Sequence, residues 1–129
     1  MAEGLFRDLL QKRGISDVDV SSAGLSAFPG APVSENAAAV LLELGIDIRG
    51  HRARAVGTEA PASDLIVALG ESHAASLLHL YPGRAESIRL IGQKGIPDPY
   101  GGDLSLYRRT RDAIAAALPG LLPLVTGHA

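Results

Sequence analysis

The segment Leu65-Ile66-Val67-Ala68-Leu69 is apolar throughout and lies between stretches of helical periodicity. A short uninterrupted apolar run of this kind suits a strand covered on both faces, as in parallel sheets. The rest of the chain fits around that strand. Ala2 to Arg13 places Leu5, Phe6, Leu9 and Leu10 on one helical face, and Gly14 closes it. Val18 to Ser22 reads as a short strand ended by Ala23-Gly24. Ser34 caps a second helix with Ala37, Val40, Leu41 and Leu44 on one face, ending at Gly45. Ser72 begins a third helix that runs through Leu78 and Leu80 and stops before Pro82, and Ser87 to Ile91 forms a third strand. Asp103 caps a last helix through Tyr107, Ala113, Ile114 and Leu118, with the alanine-rich stretch Ala113 to Ala117 packed in the core and Pro119 as the stop. Helices alternating with strands predict an α/β fold with an open parallel sheet. A chain of 129 residues needs only one core, so residues 1–129 are read as a single domain.

Composition removes several kinds of chemistry. The sequence has no cysteine, which excludes disulfides, thiolate metal sites, thiol redox chemistry and a thiolate nucleophile within these residues. A formal charge of −2 gives no electrostatic attraction for nucleic acid or an anionic membrane. No apolar run approaches the ~20 residues that span a bilayer, and Leu121–Val125 is broken by Pro119 and Pro123. Met1-Ala2-Glu3-Gly4 is not the start of a signal peptide, so a soluble cytoplasmic protein is expected. No second ligand stands at metal spacing from His51, and His73 and His79 do not share a helical face, so neither metal nor cofactor is expected. The arginines at 49, 52, 54, 108, 109 and 111 have acidic neighbours and read as solvated faces. Asp98, between Pro97 and Pro99, reads on local grounds as a turn residue.

Four segments, in order along the chain, change that last reading. They are Met1-Ala2-Glu3; Ser21-Ser22-Ala23-Gly24 with its following Pro/Gly loop and Leu44-Gly45-Ile46-Asp47; Gly50-His51-Arg52-Ala53-Arg54 through Asp64-Leu65-Ile66-Val67 to Glu71-Ser72-His73; and Ile96-Pro97-Asp98-Pro99-Tyr100-Gly101-Gly102 with Tyr107 and Thr110-Arg111-Asp112. Together they resemble the low-molecular-weight phosphotyrosine phosphatase family. The resemblance implies a three-layer α/β/α fold whose parallel sheet has the order 2-1-3-4. It implies hydrolysis of phosphotyrosine, or phosphoarginine, on a phosphorylated protein substrate through a phosphocysteine intermediate. By family position Asp98 is the general acid that protonates the leaving phenolate. Tyr100 lines the cleft and stacks on an aromatic substrate, and Ser22 hydrogen-bonds the phosphate-binding loop.

The family's loop, Cys-x5-Arg-Ser-Pro, and the strand before it do not occur in these residues. Ser26, His51 and His73 are the alternative nucleophiles, and none lies on a loop leading into a helix N-terminus. The 129 residues are therefore expected to be inactive. The absent strand belongs in the middle of the sheet, and four to six buried apolar side chains at roughly 1.5–3 kcal/mol each come to about 10 kcal/mol. Whole domains are stable by only about 5–15 kcal/mol. A longer protein in which Met1 is an internal methionine is thus expected, and upstream coding sequence tests it. The rival expectation is a non-catalytic binding module that folds cooperatively alone.

Overall fold

A computed structural model describes residues 1–25, 27–59, 61–92 and 94–126. The α/β class is observed. The chain divides into two compact units, Met1–Val56 with Pro99–Ala116, and Gly57–Asp98 with Ala117–Ala129.

The first unit is built on three helices. Helix α1 (Ala2–Lys12) buries Leu5, Phe6 and Leu10. It ends in a Schellman turn, with Ile15 N–H on the Leu10 carbonyl (2.9 Å), Gly14 N–H on the Gln11 carbonyl (3.1 Å) and Gly14 at φ +69°. Helix α2 (Glu35–Leu42) starts as its sequence predicts, the Ser34 hydroxyl oxygen accepting from Ala37 N–H at 3.3 Å. It ends in the same motif at Gly45, where Ile46 N–H reaches the Leu41 carbonyl at 3.0 Å. Leu44 falls in that turn and is exposed, so it leaves the buried face that periodicity assigns to it. The two helices pack where α1 carries no side chain: a Cβ on Gly4 would stand 2.7 Å from Ile48 Cγ2 and 3.1 Å from Leu41 Cδ2.

Helix α4 (Leu104–Ala117) buries Tyr107, Thr110, Arg111 and Ile114. This corrects two sequence readings. Ala113, Ala115 and Ala116 are exposed, because helical spacing from Tyr107 and Ile114 turns them outward. Arg111 is buried, not solvated: its side chain is 11% exposed, and its guanidinium donates to the Val40 carbonyl (2.9 Å), Glu43 (2.7 Å) and Asp112 (2.9 Å). The Val40 bond completes the C-terminus of α2. The carbonyls of Ala39, Leu41 and Leu42 accept from Glu43, Leu44 and Gly45 N–H groups, which leaves Val40 to the arginine.

The second unit holds the sheet. Strand β1 (Ile66–Ala68) pairs in parallel with β2 (Ile88–Leu90), in the register Ile66–Ile88, Val67–Arg89 and Ala68–Leu90. Parallel neighbours need a crossover, and α3 (Glu71–Leu80) with the 3-10 turn Pro82–Ser87 supplies it. Ile66 and Val67 are half-buried, so the apolar run is not fully covered on both faces among the described residues. Arg84 donates to the Pro61 carbonyl (2.5 Å) and the Ser63 carbonyl, and the Tyr81 hydroxyl to the Gly57 carbonyl, which pins the segment leading into β1. Pro123 sits inside a short helix α5 (Leu122–Thr126), at a first-turn position where no N–H is required.

Val18–Ser22 belongs to no strand among the described residues. A strand exists by its ladder, and here side chains take two of the backbone acceptors. The Arg7 guanidinium donates to the Val20 carbonyl, and Arg54 Nε to the Ser22 carbonyl at 3.3 Å. Backbone pairing begins two residues further on, where Gly24 bridges Ala55 in parallel.

Candidate active site

The first unit has a cleft of about 490 Å³ at the start of α1, lined by Met1, Glu3, Arg7, Ser22, Asp47 and His51 among others. Helix α1 begins there without a side-chain cap. Met1, Glu3 and Gly4, at its first turn, line the cleft, so the positive end of the helix dipole lies there, an arrangement that favours negative charge. Glu3, in that first turn, supplies such a charge and is the hub of the site. Its Oε1 accepts from Ser22 Oγ at 2.7 Å, and its Oε2 lies 3.1 Å from Arg7 Nη2 and 4.0 Å from His51 Nδ1. A second carboxylate, Asp47, is gripped by the Arg49 side chain at 2.8 and 3.0 Å and by the Arg49 backbone N–H at 3.0 Å. Those bonds hold the Asp47 carboxyl down to about 2, so it is ionised at every ordinary pH.

Of the residues expected to act, Ser22 lies in this cleft with its hydroxyl committed to Glu3. His51 lines it too and faces the Glu3 carboxylate. Ser26 lies outside the described residues, and His73 belongs to α3 in the second unit. Sequence reasoning does not single out Glu3 and Arg7. The available signal is their i, i+4 spacing in the opening turns of an uncapped helix, which also has the plainer reading of a surface ion pair.

Asp98 is exposed and closes the second unit's segment Gly95–Asp98. That segment is fastened to the end of β1. Ile96 N–H donates to the Leu69 carbonyl at 2.6 Å, and Gly95 N–H to the Ile91 carbonyl at 3.1 Å. Gly95 has φ +75°, and a Cβ there would stand 2.7 Å from the Leu69 carbonyl oxygen and 3.2 Å from Gly70 Cα. The chain can thus cross the strand end only with glycine, and Pro97 and Pro99 stiffen the backbone beyond it. Gly95→Ala should therefore cost about 2 kcal/mol, the left-handed penalty plus a carbonyl contact that backbone cannot easily relieve. Thermal unfolding checks this, and an unchanged midpoint would show that the crossing is not tight. Tyr100 lies in the first unit at the tip of the turn Pro99–Gly102 and is 84% exposed.

Comparison with known proteins gives a consistent result. The profile of the family described as "Low molecular weight phosphotyrosine protein phosphatase" matches residues 1–128. Low molecular weight protein-tyrosine phosphatase A of Mycobacterium tuberculosis is 39% identical, the match covering 94% of this chain and 80% of that protein. The protein-arginine-phosphatase of Bacillus subtilis is 28% identical over 92% of this chain and 82% of its own length. Among solved structures, the low molecular weight protein tyrosine phosphatase from T. tengcongensis superposes with a TM-score of 0.86 at 36% identity, over 94% of this chain and 86% of that one. A cysteine-to-serine variant of the YwlE arginine phosphatase, its active site serine phosphorylated, has a TM-score of 0.86 at 25% identity, over 93% and 82% of the two chains.

Proposed function

The chain belongs to the low-molecular-weight phosphotyrosine protein phosphatase family, and from that premise we propose a role for each site residue. Asp98 is the general acid for hydrolysis of phosphotyrosyl protein, Tyr100 forms the aromatic wall beside the substrate ring, and Ser22 braces the phosphate-binding region. The attacking sulfur is not among these 129 residues, so by themselves they do not turn over phosphate esters. The setting is cytoplasmic, with no nucleic acid or membrane partner.

The observation that carries this reading is the absence of cysteine from a chain of this family. The geometry of the cleft supports it. A phosphoryl dianion at the start of α1 would meet the carboxylates of Glu3 and Asp47, while the guanidinium that lines the cleft, Arg7, is spent on Glu3 and Val20. Like charges at such range oppose binding, and the same repulsion meets any phosphate brought to Ser22, whose hydroxyl is bonded to the Glu3 carboxylate. A phosphorylated active site serine in the YwlE variant is consistent with covalent transfer at the family's cysteine position.

The test compares two forms of the protein against phosphotyrosyl and phosphoarginyl peptides. One is the 129-residue chain; the other is the same chain preceded by a strand and a Cys-x5-Arg-Ser-Pro loop. The expected outcome is hydrolysis of the phosphotyrosyl peptide by the second form only. Faster release from the phosphoarginyl peptide would reassign the substrate. No turnover by the extended form, with cooperative unfolding of the short one, would favour a non-catalytic binding module.

A further inference from the structure

The Tyr100 turn is held from two sides within the first unit. Gly102 N–H donates to the Pro99 carbonyl at 2.7 Å, and Gly101 sits at φ +82°. Those are marks of a type II turn, which puts Tyr100 at the first corner. Gly102 lies flat on α4: a Cβ there would be 2.4 Å from Leu106 Cδ2 and 2.9 Å from the Pro99 carbonyl oxygen. Asp103 anchors this side by accepting from Leu106 N–H at 2.8 Å. On the other side stands the first turn of α2. Asn36 Nδ2 donates to the Gly102 carbonyl at 3.3 Å, and Ser34 Oγ to Tyr107 Oη at 3.4 Å.

The geometry points to Asn36 as a positioning residue that fixes the direction of Tyr100, and through it the aromatic wall of the substrate cleft. This rests on the reading of Tyr100 given above. Helix α2 itself has no use for the amide. Its cap is Ser34, and at the second helical position a carboxylate would suit the dipole better. What an amide provides there, and a carboxylate cannot, is a donor for the Gly102 carbonyl.

Asn36→Asp separates the two roles, because it keeps the shape, removes the donor and adds charge favourable to α2. The thermal midpoint should hold or rise. Hydrogen exchange at Gly102 N–H should accelerate about fivefold through loss of one hydrogen bond, and the backbone order parameters of Tyr100 and Gly101 should fall by NMR. Exchange at the Leu106 amide, capped by Asp103, should not change. Unchanged Gly102 exchange with unchanged backbone order at Tyr100 in Asn36→Asp would overturn the proposal, as would a loss of stability that accelerates all amides alike. Exchange is read without ligand, so the result is independent of the part Tyr100 plays in catalysis. Failure of that reading would show separately, as Tyr100→Ala leaving phosphotyrosyl peptide hydrolysis by the cysteine-bearing form unchanged.

Discussion

Asp98→Asn, placed in the cysteine-bearing form, should slow hydrolysis of a phosphotyrosyl peptide by about a hundredfold or more, the usual range for a lost general acid. Tyrosine leaves as a phenolate of pKa about 10, so expulsion at neutral pH needs a proton delivered in the transition state. The nitro group of p-nitrophenyl phosphate stabilises its phenolate, and the loss with that substrate should be much smaller. The contrast between the two substrates is the signature. A variant slowed equally on both would show that Asp98 acts in folding or binding instead. Its flanks suit it to the role. Pro97 and Pro99 restrict the backbone on either side, and Ile96 N–H ties the segment to the Leu69 carbonyl at the end of β1. In open α/β sheets the carboxyl ends of strands are where ligands are met.

Arg111→Ala should destabilise the fold by about 3 kcal/mol, lowering the melting midpoint by roughly 10 °C for a chain of this size. Val40 has no exposed surface, and its carbonyl accepts from Arg111 alone among the described residues. Truncation leaves that buried acceptor unsatisfied and opens the space filled by the arginine stem. Glu43→Gln should cost less, because Glu43 is partly exposed and water can replace its partners.

The same cluster sets an acid limb. Hydrogen bonds from Arg108 and then Arg111 hold the Glu43 carboxyl down to about 2 from its ordinary 4.5. A carboxylate depressed in the folded state stabilises it fully above the unfolded value. That contribution is lost as pH falls from about 4.5 towards about 2. Arg111→Ala should make the stability profile shallower over this window, and acid titrations followed by circular dichroism check it. A midpoint shift under about 3 °C would refute the capping role of Arg111.

Local features of this fold were legible in the sequence because their causes are local. Ser34 and Asp103 cap the helices they precede, and Gly14 and Gly45 close helices with backbone that glycine adopts freely. The apolar run Leu65–Leu69 holds β1, with a parallel partner in Ser87–Ile91. What sequence could not show depended on distant partners. Val18–Ser22 has the composition of a strand, yet a ladder needs a neighbour, and arginine side chains occupy the Val20 and Ser22 carbonyls. Arg111 looks like its exposed neighbour Arg108 until the Val40 carbonyl, 71 residues away, is seen to need a donor. Asp98, Tyr100 and Ser22 were named as candidates through resemblance to the family, not from any local pattern. Glu3, which gathers Ser22, Arg7 and His51, is one carboxylate in a first helical turn and carried no distinguishing pattern.

The decisive measurement is the rate at which purified 129-residue chain, free of other phosphatases, releases p-nitrophenol from p-nitrophenyl phosphate. Release at the rate of buffer alone is predicted, since no cysteine thiolate is present to attack phosphorus. Saturable turnover that is abolished by Ser22→Ala or His51→Ala would contradict the account, by showing that an oxygen or imidazole nucleophile does the work assigned to the family's cysteine.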